Sequence, residues 1–109
     1  MYCRQNFYQP PIMFTKRQVD LRNHFRMLWE QHDVWTWSTI MSIVFGLPIA
    51  DAVVARLLRN PVDFERALKP FYGDRIAAKF RDLLTEHLVI AADLVKAAKA
   101  GDNKAAAEA

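Results

Sequence analysis

Two histidines in this chain stand in matching surroundings, and the imidazole is the side chain that most often binds divalent transition metals in proteins. His32 and His87 each interrupt an otherwise apolar stripe, and an acidic residue lies within two positions of each. This pattern predicts a shared polar pocket that holds a divalent transition metal ion or a small polar ligand. Its candidate metal ligands are His32, His87, Glu86 and Glu30.

An alternative interpretation is that both histidines are structural. A buried imidazole needs a hydrogen-bond partner, because an unsatisfied buried polar group costs roughly 1–3 kcal/mol. Backbone carbonyls, hydroxyls such as that of Thr36, or the other histidine would satisfy this need. The Glu-x-x-His pairs of ferritin-like di-iron proteins are absent, because Trp29 and Leu84 stand three residues before the two histidines.

Other chemistry has little support. The chain has one cysteine, Cys3, which excludes an intramolecular disulfide and has no identified activating base. The three glycines form no phosphate-binding loop, and no HExxH or Cys-x-x-Cys motif occurs. We therefore expect no catalytic residues. The predicted function is a binding module, and the alternative is a structural, oligomerisation or partner-binding protein with no ligand.

Local signals divide the chain into helices, with no strand pattern. Thr15 and Gln18 form a capping box that predicts a helix from about Lys16, and Gly46 ends it some 30 residues later. Shorter helices should follow, and Gly73 precedes a second long one. These later segments are expected at about 51–59, 61–68, 75–100 and after Asp102. Residues 1–14 contain two adjacent prolines and several aromatics, which predicts an extended N-terminal arm.

A repeat at an offset of 55 residues relates the two long helices. The matching pairs are Phe25-Arg26 with Phe80-Arg81, Leu28 with Leu83, His32 with His87, Val34 with Val89 and Gly46 with Gly101. Each helix carries a stripe with steps of four and three residues, which is typical of bundle cores. The stripes are Leu21, Phe25, Leu28, His32, Trp35, Thr39 and Ser42, and Ile76, Phe80, Leu83, His87, Ile90, Leu94 and Ala97.

The repeat predicts an all-α fold, an up-down four-helix-type bundle in a single domain over residues 15–109. Two helical hairpins would build it, the first at about 16–73 and the second, incomplete, at about 74–109. Helices 1 and 3 should run in the same direction, diagonal to one another, with both histidines in the core at matching heights. The fourth helix is truncated, so one wall of the bundle would be open.

The second half of helix 1 predicts a subunit interface. Residues 34–50 include no charge, which approaches the length of a membrane span, but the equivalent part of helix 3 is charged, so we expect no membrane partner. The helix is apolar on a second face, formed by Trp37, Met41 and Val44. Tryptophan and methionine are enriched at interfaces, which favours a homodimer.

The net charge and the N-terminal residues limit which partners and which cellular location we expect. The 15 basic and 12 acidic residues are mostly interspersed and give a net charge of +3, which does not indicate a nucleic-acid partner. The first eleven residues, MYCRQNFYQPP, lack the apolar segment of a signal peptide, so we expect a cytoplasmic location.

Three phrases of the sequence resemble a family of small uncharacterised bacterial helical-bundle proteins, many of which are labelled acetylglutamate kinase. The phrases are LWEQH followed by Trp35-Thr36, ARLLRNPVDFERALKPFYGD, and LLTEHLVIAADLVKAAKAGD. The resemblance covers residues 20–109 and implies a helical bundle in which Glu30, His32, Glu86 and His87 carry the family pattern. Trp37 departs from it, since an arginine commonly follows the Trp-Thr pair. Kinase activity is not supported by the sequence, which has neither phosphate loops nor an α/β pattern.

Overall fold

The computed structural model describes residues 13–109, and within them every regular element is a helix. The elements are α1 (Lys16–Val44), α2 (Ala50–Leu57), α3 (Asn60–Ala100) and α4 (Asn103–Glu108). The all-α class is confirmed. Of the predicted N-terminal arm, Met13 and Phe14 are exposed and non-helical, while residues 1–12, with Cys3, lie outside the described residues.

Local capping determines where α1 begins and ends. The Thr15 hydroxyl accepts a hydrogen bond from the backbone N–H of Gln18 at 3.2 Å, and the Gln18 side-chain oxygen accepts one from the Thr15 backbone N–H at 2.9 Å. This is the predicted capping box. At the other end, Gly46 has a φ of +60°, a left-handed conformation that glycine adopts without steric cost.

Gly73 reverses the chain within α3. Its φ of 80° and ψ of 169° are not helical, so α3 consists of two segments, which we call α3N (residues 60–72) and α3C (residues 74–100). The rings of Phe64 and Phe80 lie 5.5 Å apart, whereas 16 residues of continuous helix would separate them by about 24 Å. α3N and α3C therefore form a hairpin. The predicted end of this segment at about residue 68, just before Lys69-Pro70, is wrong, because α3N continues past Pro70.

α1 and α3C run in the same direction as neighbours. Near the N-terminal end of α1, the guanidinium of Arg17 lies 5.6 Å from the ring of Phe71, which is near the end of α3N. Near the C-terminal end of α1, the carbonyl of Ile43 accepts a hydrogen bond from the ammonium group of Lys99 in α3C at 2.7 Å. The shared direction confirms the prediction, but direct contact places the two helices side by side rather than diagonal to one another.

The core centres on Phe64, which is 1% exposed. Its ring contacts those of Phe25, Trp29 and Phe80 at centroid distances of 6.1, 4.8 and 5.5 Å. One aromatic side chain thus joins α1, α3N and α3C. The other buried apolar residues are Leu28, Ile43, Val53, Leu57, Pro61, Ala77 and Leu88.

The stripe predicted to form the core of helix 3 faces outward, which corrects the sequence interpretation. Ile76, Leu83, Ile90 and Leu94 are 56%, 54%, 41% and 41% exposed, and His87 is also exposed. α3C instead buries the side that carries Ala77 and Leu88. The alanines Ala77, Ala91 and Ala92 on that side let the helix approach its neighbours closely, and Leu88 packs between them, while Ile76, Leu83, Ile90 and Leu94 are left exposed.

No helix of the described part is both long and apolar enough to cross a membrane.

Candidate functional surfaces

His32 is half-buried and is tied to the start of α3. Asn60, which is fully buried, donates from Nδ2 to the carbonyl of Leu28 at 2.9 Å. This bond assigns Oδ1 of Asn60 as the acceptor for the His32 ring, whose Nδ1 lies 3.0 Å away and donates its proton. One ring nitrogen is therefore engaged, and the geometry is that of a hydrogen-bonded structural histidine.

The four predicted metal ligands occupy different environments. His87, Glu86 and Glu30 are exposed, whereas His32 is half-buried against Asn60. The expected core position of His87 is wrong, because α3C turns that side chain outward. Among residues 13–109, no group of three or more His, Cys, Asp and Glu side chains is placed to hold a metal ion. Metal binding by these residues stays a prediction.

A partly buried ion pair links the two arms of the α3 hairpin. Nη1 of Arg81 lies 2.8 Å from Oε2 of Glu65, whose side chain is only 10% exposed. Arg81 also bonds Asp82, and this hydrogen bond raises the pKa of the Arg81 guanidinium above its ordinary value. The sequence interpretation missed Glu65. Glu65 follows Phe64 within the apolar pattern of residues 61–68, and this position could have indicated that its carboxylate is buried and needs a cation.

A small cavity lies between α1, α2 and α3C. It has a volume of about 40 Å³, which suits one or two water molecules and is far below the roughly 300–1,000 Å³ of small-molecule sites. The hydroxyls of Thr36 and Thr39 are buried and have no hydrogen-bond partner. The lining residues are Thr36, Thr39, Ile40, Leu57, Leu88, Ala91, Ala92 and Val95.

An exposed row of four apolar residues and one histidine lies on α3C, and we call it the α3 seam. It consists of Ile76, Leu83, His87, Ile90 and Leu94. Its spacing is that of the a and d positions of a heptad, the pattern with which one helix packs against another. Phe80 completes the spacing but is half-buried against Phe64.

The apolar surface continues from the α3 seam onto α1. Trp29 contacts the Phe64 ring that also touches Phe80, and it remains 47% exposed. Higher up, Ile40 is 38% exposed and lines the same cavity as Ala91 of α3C. Ile40 therefore stands where α1 borders α3C, and Trp29 lies beside the aromatic cluster that includes Phe80, so exposed apolar side chains occur on both helices.

The predicted interface residues of α1 lie on its outer side. Trp37 and Val44 are 64% and 44% exposed, and Met41 is half-buried. Their participation in an interface stays a prediction.

Comparison with protein-family models, with curated proteins and with solved structures gives no match. What the chain does is therefore inferred from its own surfaces.

Proposed function

We propose that this chain is a non-catalytic helical assembly module that forms a homodimer through the α3 seam and the adjoining side of α1. The observation that carries the proposal is the heptad spacing of exposed side chains along α3C. A helix that exposes an a/d row lacks the partner helix that such a row packs against.

The distribution of apolar side chains supports an assembly. In the described part, 19 large apolar residues are exposed while eight apolar residues are buried. Single exposed apolar residues are ordinary, but a contiguous row of them marks an interaction site. Burying the seam removes this area from water at a gain of roughly 25 cal/mol per Å².

A second copy is the occupant that fits this surface. The seam covers 19 residues, about 28 Å of helix, and with α1 beside it the face is about 20 Å wide. Its projected area is therefore on the order of 560 Å², and the accessible area of such a ridged surface is larger. Specific interfaces begin at roughly 1,200 Å² in total, so two copies of this face, with about 1,100 Å² in projection and a larger accessible area, come close to the lower limit for a specific interface. Pairing also supplies the wall that α3C lacks in the single chain.

Light scattering of paired variants tests the proposal. Leu83→Glu places a charge in the middle of the seam and should convert a dimer to a monomer. Val89→Glu is the matched control, since Val89 is 43% exposed on the same helix but lies outside the a/d row. The control should remain dimeric. Equal masses for both variants and the unsubstituted chain would refute the proposed interface.

A further inference from the structure

We infer that the two α3 seams pair in antiparallel orientation, with Lys79 of each copy facing Asp93 of the other. This inference rests on the proposed dimer and specifies its orientation and register. It follows from the heptad positions of the apolar and charged side chains on α3C.

The apolar positions define the layers. In an antiparallel pair, each a residue lies opposite a d residue of the other helix. Phe80, His87 and Leu94 occupy a positions, and Ile76, Leu83 and Ile90 occupy d positions. One register uses all six in continuous layers. Its layers are Ile76 with Leu94, Phe80 with Ile90, and Leu83 with His87 of the second copy, each formed twice.

The charged g positions disfavour one neighbouring register, and the number of apolar layers disfavours the other. Lys79, Glu86 and Asp93 are exposed and occupy successive g positions, which face one another across an antiparallel pair. The register that places all six a and d residues in layers brings Lys79 level with Asp93 of the second copy, once at each end of the paired helices. Sliding the partner by one layer, so that Leu83 meets Leu94, instead brings Glu86 level with Asp93 and sets like charges together. Sliding it the other way, so that Phe80 meets Leu83, brings Lys79 level with Glu86 but leaves Ile90 and Leu94 outside the layers.

A parallel pair lacks this complementarity. In parallel dimers, g positions face e positions of the partner. The e positions of α3C include Ala77, Leu84 and Ala91, and Ala77 is fully buried within its own chain. The acidic and basic g residues would then have no charged partners.

Two further features agree with the antiparallel register. Ile76 and Lys79 line an open depression of about 870 Å³ beside the Gly73 turn, where the incoming Leu94 and Asp93 would be placed. His87 lies close to the two-fold axis in the central layers. A polar residue at a single a position lowers the stability of a coiled coil but fixes its register. His87 would have this role in the proposed dimer. The two Glu86 carboxylates approach each other near the axis and form the one unfavourable element.

Charge reversal tests the orientation by sedimentation equilibrium at low salt. Lys79→Asp alone and Asp93→Lys alone each remove both pairs and create repulsion, so each should weaken the dimer about 10-fold. The double variant restores opposite charges and should return the dissociation constant to within about twofold of the original. Both single effects should shrink at 1 M salt, where charges are screened over about 3 Å.

The control and the outcomes separate this inference from the proposed dimer. Lys96→Asp reverses an exposed charge of α3C that lies outside the g positions and should leave the dissociation constant within about twofold. A dimer that the single reversals leave unchanged, or that the double variant does not restore, overturns the antiparallel register while the dimer stands. A monomeric unsubstituted chain overturns both.

Discussion

Asn60 joins His32 to the carbonyl of Leu28, with Oδ1 of Asn60 3.0 Å from Nδ1 of His32 and Nδ2 of Asn60 2.9 Å from the Leu28 oxygen. One fully buried amide thus fastens the beginning of α3 to the middle of α1. Both its donor and its acceptor are engaged, so the bridge holds the half-buried imidazole in one orientation and one tautomer.

Replacing Asn60 should destabilise the fold. Asn60→Ala leaves Nδ1 of His32 without its partner and opens space in the core, which we expect to lower the free energy of unfolding by about 1–3 kcal/mol. Urea denaturation measures the change. Asn23→Ala is the matched control, because Asn23 is exposed on α1 and should change the stability little. Similar losses from both substitutions would contradict the bridge.

Breaking the Glu65–Arg81 pair should weaken the α3 hairpin. Arg81→Met leaves the carboxylate of Glu65 buried without its cation and should lower the free energy of unfolding, by less than the loss of a fully buried pair because Arg81 is partly exposed. Arg75→Met, at an exposed position of the same helix, serves as the control. If Glu65→Gln is introduced first, Arg81→Met should cost much less. Additive effects of the two substitutions in a double-mutant cycle would show that the pair is not coupled.

Removing an unpaired buried hydroxyl should stabilise the chain. Thr39 is 3% exposed and its hydroxyl has no hydrogen-bond partner, so Thr39→Val should raise the free energy of unfolding by about 1 kcal/mol. In Thr85, by contrast, the hydroxyl donates to the carbonyl of Arg81 at 2.7 Å, and Thr85→Val should give no such gain. Thermal melts of the two variants compare them directly. A loss of stability in Thr39→Val would mean that its hydroxyl is satisfied, for example by water in the 40 Å³ cavity.

Replacing the polar residue of the seam should strengthen the dimer. His87→Leu completes the apolar row, and the added apolar burial should lower the dissociation constant about 10-fold. His24→Leu is the control, since His24 is exposed on α1. Dilution series followed by light scattering give both constants. An unchanged or weaker dimer in His87→Leu would place His87 outside the interface.

The sequence predicts the helices well because the signals that start and stop them are local. The capping box at Thr15 and Gln18 and the glycines at 46 and 73 act within a few residues, and each lies where the pattern indicates. Pro70 is the exception, since α3N accommodates it without ending.

Which face of α3C is buried is decided by packing against the other helices and not by local sequence signals. Two sides of this helix are apolar, and periodicity alone favoured the side with the larger residues. The helix packs instead through the side that carries Ala77 and Leu88, where the small side chain of Ala77 allows close contact and Leu88 fills the core. The same choice turns His87 outward and separates the environments of the two histidines.

The partner of His32 was also beyond a reading of the sequence. Asn60 lies 28 positions further along the chain, within an Asn-Pro pair that indicates a helix start. Its capping propensity indicates only a helix start and not that the same amide also bonds a half-buried ring and a carbonyl. The interface role of Trp37, Met41 and Val44 stays a prediction, for which Trp37→Glu is the direct test.

Sedimentation equilibrium of the unsubstituted chain tests the proposed assembly most directly. We predict a mass of twice the 12.6 kDa of one chain at micromolar concentrations, with dissociation on dilution. A single species of 12.6 kDa that persists to the highest soluble concentration would show that the α3 seam does not bind a second copy.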